Sequence, residues 1–206
     1  MNTLKIARTA LAGAVLMGMA SAANAFTVTF GAATDSDGVA SLYDPASNLA
    51  AGNVLTLGLL DFKATSGIGG LAIAQDANDF TITCNGCVIN KVTLHEDTTG
   101  DGSVGGFAGA QGKLTADGHS QNTAQALFGP GASGPFALST SVLVAGKSSI
   151  LVNVNNSLFS ANGGSIQKLL STVTVDASVV PLPPAVWMLG SSLVGLIAVG
   201  RRKINV

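Results

Sequence analysis

The central part of this 206-residue chain has few charged residues, few aromatic rings and no arginine. Residues 26–180 carry five lysines and all eleven acidic residues, so their net charge is −6. Nucleic-acid binding needs a basic face, and this charge balance therefore argues against nucleic acid as a partner. The same residues contain one tyrosine, Tyr43, and no tryptophan, because Trp187 lies in the C-terminal tail. Flat aromatic anchors for sugars or proteins are thus scarce.

Histidine is also scarce, since His95 and His119 are the only two in the chain. Neither lies in a G-x-S-x-G, H-E-x-x-H or phosphate-loop context, so no catalytic motif supports them. We therefore expect no catalytic residues, no cofactor, no metal and no enzymatic activity. A secreted hydrolase that uses one of these histidines is the less favoured alternative.

Cys84 and Cys87 are the only cysteines, and Asn85-Gly86 lies between them. Two β-rich runs, Phe80–Thr83 and Val88–Leu94, flank this pair, and Asn-Gly favours a two-residue type I′ hairpin. Directly opposed, hydrogen-bonded residues of a hairpin have Cα atoms about 5.5 Å apart, which is within disulfide range. The pattern predicts a hairpin that a Cys84–Cys87 disulfide closes.

The C-x-x-C spacing has three other interpretations, which the neighbouring residues disfavour. A redox motif places its cysteines at the start of a helix, whereas the residues from Val88 onward favour a strand. Haem attachment needs a histidine after the second cysteine, and Val88 stands there. Zinc needs about four ligands, and His95 and His119 are the only histidines that could join the cysteines.

The N-terminus has the features of an export signal. Lys5 and Arg8 precede an apolar run over residues 10–20, and Ala23-Asn24-Ala25 forms an A-x-A cleavage site before Phe26. The apolar run is short for a membrane span, which needs about 20 residues. Residues 1–25 are therefore predicted to be a signal peptide that signal peptidase removes between Ala25 and Phe26, and a retained N-terminal anchor is the alternative. Export also favours an oxidised cysteine pair.

Residues 26–179 are predicted to form one mainly β domain, an antiparallel β-sandwich or jelly-roll. Alternating apolar and polar residues and turn residues predict its strands. They are residues 26–30, 54–62 and 71–74, the hairpin over 80–94, a second hairpin over 136–154 that turns at Ala145-Gly146-Lys147, and a last strand over 170–179. Residues 31–53 favour a loop, Asn162-Gly163-Gly164 a turn, and Gln121–Phe128 either a helix or a strand.

An acidic stretch, Asp97 to Ser103, resembles the start of a calcium-binding EF-hand loop. Asp97, Thr99 and Asp101 match the first three ligand positions, and Gly102 matches the turn position. The position of the bidentate glutamate is occupied by Ala108, so the loop is incomplete. An acidic, glycine-rich loop between strands is the favoured interpretation, and a weak calcium site is the alternative.

The last 27 residues, Val180 to Val206, contain three different parts in order. Val180-Pro181-Leu182-Pro183-Pro184 comes first, an apolar run from Ala185 to Gly200 follows, and Arg201-Arg202-Lys203 comes near the end. Prolines end a strand and favour extended backbone. The apolar run, residues 185–200, spans roughly 24 Å as a helix at about 1.5 Å per residue, and the basic cluster can remain on the cytoplasmic side of a helix over about 184–200. A single C-terminal transmembrane helix is the prediction.

This order of parts resembles the PEP-CTERM sorting segment, specifically its VPLPA variant, in which Ala stands where this chain has Pro184. The resemblance covers about 25 residues and implies that an exosortase of the inner membrane recognises Val180, Pro181, Leu182, Pro183 and Pro184 together with Arg201, Arg202 and Lys203. It also implies transient anchoring by residues 180–206, followed by release to the cell surface or the extracellular matrix. Such proteins are often associated with exopolysaccharide, which is therefore a candidate partner.

The sequence thus predicts an exported surface or biofilm-matrix protein whose β domain has a structural or adhesive role. A carbohydrate- or calcium-binding module is the alternative. The resemblance concerns sorting only, so it assigns no activity to residues 26–179.

Overall fold

The computed structural model describes residues 27–35, 42–102, 105–180, 188–189 and 191–193. Thirteen strands account for most of them, and a short 3-10 turn, Pro45–Ser47, lies between the second and third strands. The strands are β1 (Thr27–Phe30), β2 (Thr34–Asp35), β3 (Leu49–Ala51), β4 (Val54–Thr56), β5 (Lys63–Thr65), β6 (Leu71–Asn85), β7 (Cys87–Asp101), β8 (Phe107–Ala116), β9 (His119–Asn122), β10 (Ala126–Phe128), β11 (Ser133–Lys147), β12 (Ser149–Ala161) and β13 (Ser165–Val179).

Two antiparallel sheets form the domain. The first sheet has the order β1-β6-β12-β8-β10, with β2 beside β6 and β9 beside β8. The second has the order β11-β7-β13-β4-β3, with β5 beside β13. The long strands alternate between the sheets along the chain, because β6, β8 and β12 lie in the first and β7, β11 and β13 in the second. Side chains of both sheets share one apolar cluster between them, so the predicted mainly β antiparallel sandwich is confirmed.

The predicted hairpin at Asn85-Gly86 is wrong, although its two strands and its turn are present. β6 pairs with β1 and β12, whereas β7 pairs with β11 and β13, so the chain passes from one sheet to the other at this turn. Gly86 has a φ of 76°, while Asn85 is not among the residues with positive φ. A type I′ turn needs positive φ at both positions, so this turn is of another type.

The second predicted hairpin is wrong for the same reason. β11 pairs with β7 in one sheet, and β12 pairs with β6 and β8 in the other. Gly146, at φ 60°, supplies the left-handed residue in the predicted turn. Alternation of apolar residues identifies the buried face of a strand, but a face buried against the opposite sheet leaves the hydrogen-bonding neighbour undetermined. Sequence adjacency was therefore a misleading guide to pairing here.

Several predicted boundaries also differ from the structure. The strand predicted over residues 54–62 ends at Thr56, and the short strand predicted over 71–74 continues to Asn85. The loop predicted over 31–53 contains β2, β3 and the 3-10 turn. The undecided segment 121–128 contains the end of β9, three residues outside any strand and the whole of β10, with no helix. The Asn162-Gly163 turn and the last strand are confirmed, with β13 beginning five residues earlier than predicted.

The sandwich interior contains two separate apolar clusters. The larger cluster lies next to the cysteines and includes Phe80, Ile82, Leu94 and Val152. The smaller cluster includes Phe62, Phe128 and Leu158 with several alanines. Burying a large apolar side chain contributes roughly 1.5–3 kcal/mol, so the larger cluster supplies most of the hydrophobic stabilisation.

The predicted signal peptide with Ala23, Ala25 and Phe26, most of the predicted membrane helix, and Pro181 to Pro184 and Arg201 to Lys203 of the predicted sorting segment lie outside the described residues. Val180 follows the last residue of β13 directly. Met188, Leu189 and residues 191–193 have helical backbone. No helix within the described residues is long and apolar enough to cross a membrane.

Candidate functional site: a buried polar layer between the sheets

The two cysteines form the predicted disulfide at the point where the chain changes sheets. Cys84 ends the buried face of β6 and Cys87 begins β7, and their Cα atoms are 5.3 Å apart. Both cysteine side chains are buried and belong to the larger apolar cluster. The disulfide therefore ties the two sheets together at their crossover, instead of closing a hairpin.

The two histidines lie in different sheets and do not form a common site. His95 is on the outer face of β7, where its Nε2 is 3.3 Å from Oδ1 of Asp97. His119 is exposed at the start of β9, which pairs with β8 in the other sheet. The structure thus brings no catalytic pair of histidines together.

Residues 97–101 of the acidic stretch belong to a strand, and this corrects the loop prediction there. Asp97, Thr99 and Asp101 belong to β7 and project from one face of it, because side chains alternate along a strand. An EF-hand loop must curl its ligands around one ion, which an extended strand cannot do. Among the described residues, no group of three or more His, Cys, Asp or Glu side chains could hold a metal ion.

A layer of buried polar residues separates the two apolar clusters. Asn156 lies between Val154 and Leu158 along the buried face of β12. Other strands also place polar residues in the interior at this height of the sandwich. Glu96 contributes from β7, Asp76 from β6, and Lys168 and Ser171 from β13, all with at most 3% exposure. We refer to these residues, with Tyr43 and Gly112, as the polar layer.

Glu96 and Lys168 form an ion pair at the centre of the polar layer. Lys168 Nζ donates to Glu96 Oε1 at 2.5 Å, and Ser171 Oγ donates to the same oxygen at 3.3 Å. The Lys168 amine also lies 5.4 Å from the centre of the Phe62 ring, a cation–π distance. Removing either partner of a buried ion pair is far more costly than the pair is stabilising, so the two residues depend on one another.

A β-bulge explains how both Lys168 and Ser171 face the interior. The register of β13 against β7 shifts between Lys168 and Leu170, which leaves Leu169 exposed. The inward residues before the shift are Ile166 and Lys168, and those after it begin at Ser171. An extra residue in one strand reverses its alternation, so two side chains three positions apart share one face.

Tyr43 reaches the polar layer from the segment before the 3-10 turn, and Asp76 holds it there. The Asp76 carboxylate accepts hydrogen bonds from the backbone N–H groups of Leu42, Tyr43 and Ala77, at 2.9 Å for Tyr43 and 2.7 Å for Ala77. The Tyr43 hydroxyl accepts a hydrogen bond from Asn156 Nδ2. In the register of the sheet, Asn156 of β12 lies opposite Asp76 of β6 on one side and opposite Gly112 of β8 on the other.

Glycine at position 112 makes room for this arrangement. A Cβ atom there would overlap the Glu96 carboxylate and would lie 3.0 Å from Asn156 Oδ1. Glu96 Oε2 and Asn156 Oδ1 therefore flank the same small space, and neither has a hydrogen-bond partner among the described residues. Turning the Asn156 amide over would direct Nδ2 towards Glu96 Oε2 and Oδ1 towards the Tyr43 hydroxyl, which pairs both atoms.

Burial shifts the protonation of two groups in the polar layer. Desolvation lowers the pKa of Lys168, and the nearby Glu96 charge opposes that shift. Desolvation raises the pKa of Tyr43 well above its usual value of 10.0, and the Glu96 charge adds to that rise. Both shifts favour neutral side chains inside the sandwich.

The polar layer is the chemical centre that sequence reasoning missed. Glu96 occurs in phase with the apolar residues Val92 and Leu94, and this alternation places it on the buried face. Lys168 follows Ile166 in the same way, but the last strand was predicted to begin only at residue 170. In both strands, a charged residue stands at a position where the alternation calls for a buried apolar residue, and this was the signal that could have revealed the polar layer.

The outer face of the first sheet is a second candidate surface. Cross-strand rows over β6, β12 and β8 place Gln75, Ser157 and Gln111 side by side, with Asn155 and Lys113 in the next row. Gln75 Nε2 donates to Ser157 Oγ at 3.1 Å. Amides and hydroxyls in flat rows can donate and accept hydrogen bonds at regular spacing.

No protein-family model and no curated protein matches the chain. Among solved structures, it is similar to TmCBM61 in complex with β-1,4-galactotriose, at 9% identity and a TM-score of 0.33, over 74% of this chain and 90% of that one. It is also similar to the CBM36-1 domain of a multidomain xylanase from the hindgut metagenome of Trinervitermes trinervoides, at 10% identity and a TM-score of 0.32, over 74% and 99%. Dimeric latent PorU from Porphyromonas gingivalis has 14% identity and a TM-score of 0.36, over 75% of this chain and 13% of that one.

Proposed function

We propose that this chain is an exported, non-enzymatic β-sandwich protein of the cell surface or extracellular matrix. Signal peptidase removes residues 1–25, the inner membrane holds the chain through one helix over about 184–200, and an exosortase processes the segment 180–206. The β domain has a structural or adhesive role in a matrix that contains exopolysaccharide. No metal or cofactor takes part.

One observation carries the structural role. The sandwich concentrates its unusual chemistry in its interior, where Glu96, Asn156 and Lys168 have at most 3% exposure, while the histidines lie apart on the surface. Groups sealed between two sheets stabilise a fold and are out of reach of a substrate. A cross-sheet disulfide also suits a protein outside the cell, because such bonds persist in oxidising compartments.

The position of the tail supports its separate role in sorting. β13 pairs with β7 as far as Val179, so the last of the described strands ends where the proline-rich segment begins. Removal of the tail therefore leaves every described strand in place. This division agrees with a passenger domain followed by a processing segment.

Localisation tests the sorting proposal. The full chain is expected on the cell surface or in the matrix, whereas a chain that ends at Val179 is expected to be secreted without a membrane-held stage. A matched control replaces only Arg201, Arg202 and Lys203 by glutamine, which keeps the apolar run and removes the basic cluster. If the shortened chain is retained and processed as the full chain is, the sorting proposal is wrong.

The amide and hydroxyl rows on the first sheet support a second candidate, a carbohydrate-binding module. Gln75, Gln111 and Lys113 would donate hydrogen bonds to sugar hydroxyls, and the half-exposed Phe107 lies on the same face. Binding of the full chain to a glycan array tests this function. Binding that is lost in Gln111→Ala and kept in Ser141→Ala, on the outer face of the other sheet, would support it, and the absence of binding to any glycan would reject it.

A further inference from the structure

The polar layer brings an amine, a carboxyl group and an amide together in a sealed space. Glu96 has one carboxylate oxygen 2.5 Å from the Lys168 amine, and its other oxygen faces the space that Asn156 Oδ1 also lines. One carboxyl group therefore lies between the amine and the amide. All three residues have at most 3% exposure, so bulk water does not compete for them.

We propose that Lys168 and Asn156 become joined by an isopeptide bond within the folded chain, with Glu96 as the catalytic residue that transfers protons. The bond would link β12 of the first sheet to β13 of the second. It would therefore connect the two sheets covalently at the polar layer, as the Cys84–Cys87 disulfide does at the crossover.

The reaction balances without any co-reactant. Glu96 first takes a proton from the Lys168 ammonium along their hydrogen bond, which leaves a neutral amine. The amine lone pair attacks Asn156 Cγ to form the Nζ–Cγ bond. With the amide turned so that Nδ2 faces Glu96, the carboxyl group returns its proton to the departing Nδ2 and then takes the second proton from Nζ, which is later released to solvent with the ammonia. The Cγ–Nδ2 bond breaks and nitrogen leaves as ammonia, so one amide replaces another and nothing is oxidised or reduced. General acid–base transfer by a positioned carboxyl group is a common way to lower such a barrier.

The surroundings favour this outcome over a lasting ion pair. Desolvation lowers the pKa of Lys168, so the neutral amine that must attack is more accessible than in water. The Tyr43 hydroxyl bonds to the Asn156 amide and holds it in the layer. An amide is less costly to bury than a charged amine, and release of ammonia to solvent makes the product persist. Gly112 keeps open the space in which the carboxyl group and the amide meet.

Peptide mass spectrometry of the purified full chain tests the proposal. The chain is reduced, alkylated, denatured and digested with trypsin, which cleaves after free lysine. Trypsin is expected to leave Lys168 uncut, and the peptide that begins at Ser148 is expected to be lighter by the mass of one ammonia molecule. Release of an unmodified peptide over residues 148–168 would overturn the proposal. Loss of one water molecule, with a Lys168–Glu96 link, would overturn the choice of Asn156 as the electrophile.

Variants identify the role of each group. Glu96→Gln keeps the shape of the side chain and removes its proton transfer, so we expect at least a tenfold lower linked fraction. Asn156→Ala is expected to abolish the bond, while Asn155→Ala, on the outer face of the same strand, is expected to leave it complete. Far-UV circular dichroism identifies the variants that fold, and only those are scored. A folded Asn156→Ala or Glu96→Gln chain that is linked as fully as the wild type would contradict the assignment.

Discussion

The two ends of the sandwich interior are built from different chemistry. At the end with the Cys84–Cys87 disulfide, the larger cluster packs branched and aromatic side chains such as Phe80, Ile82 and Val152 between the sheets. Beyond the polar layer, the smaller cluster relies on alanines and on glycines that allow close contact. A Cβ atom at Gly100, for example, would overlap the Phe128 ring.

This difference indicates how each end is stabilised. The larger cluster gains mainly from apolar area removed from water, which needs no special partner geometry. The polar layer gains only when each buried group has its partner, because an unpaired buried charge costs several kcal/mol. A disturbance at the polar layer should therefore cost more per atom than one at the apolar end, and the following predictions test that expectation.

The largest effect is expected from Lys168→Ala. This change removes both the ion-pair partner of the buried Glu96 carboxylate and the amine of the proposed isopeptide bond, and breaking a buried pair alone typically costs about 3–5 kcal/mol. Urea unfolding measures the loss in the free energy of unfolding. The matched control is Lys91→Ala, which removes the exposed Lys91–Asp176 pair and should cost about 0–1 kcal/mol. Equal losses in the two variants would show that the polar layer has no special role.

A smaller effect is expected from Gly112→Ala. The added methyl group overlaps the Glu96 carboxylate, and overpacking of this kind costs about 1–3 kcal/mol. Gly67→Ala is the control, because a Cβ atom there has nothing within 4 Å. Thermal unfolding of both variants separates steric overlap from the general effect of replacing glycine. A Gly112→Ala chain as stable as the Gly67→Ala chain would contradict the close packing described here.

Removal of the disulfide should cost about 2 kcal/mol or less. Cys84 and Cys87 are only three residues apart, and a short loop contributes little in the chain-entropy account of disulfide stabilisation. Cys84→Ser with Cys87→Ser, compared with the wild type in urea, gives the loss directly. Combining these changes with Lys168→Ala should give additive losses if the disulfide end and the polar layer act independently. A combined loss well above the sum would reveal coupling between them.

The smallest effect is a pH dependence that arises at Tyr43. Burial raises the pKa of Tyr43 in the folded chain above 10.0, so the folded state holds this proton at a pH where the unfolded state releases it. The associated stability is present below about pH 10 and is lost as the pH rises further, by up to roughly 1.4 kcal/mol per pH unit. Urea unfolding of the wild type and of Tyr43→Phe measures the difference, since Glu96, Asp76 and Lys168 are common to both. An identical alkaline decline in the two chains would contradict this assignment.

Local patterns were sufficient to predict much of the secondary structure. Alternation identified the residues of β1 and the cores of β6, β7, β11 and β12, and Asn85-Gly86 and Asn162-Gly163 were correctly predicted as turns. The cysteine spacing predicted the disulfide, because a three-residue separation across a tight turn places the two Cα atoms within bonding range. These features depend on residues close together in the chain.

The pairing of the strands and the polar layer could not be predicted in this way. Glu96 is 72 residues from Lys168, and Asn156 meets Tyr43 across 113 residues. The bulge at Leu169 turns both Lys168 and Ser171 inward, and alternation alone does not predict where such an extra residue occurs. Both features depend on which strands meet across the sandwich.

The sequence by itself determined that the domain is mainly built from alternating β-strands, where several tight turns occur and that the two cysteines can bond. It also carries the export and sorting patterns at the two ends, which stay predictions. Only the tertiary structure decided that successive long strands enter opposite sheets and that an amine, a carboxyl group and an amide meet between them. The physical reason is that strand periodicity specifies a buried face, whereas the partner of that face follows from packing the whole sandwich.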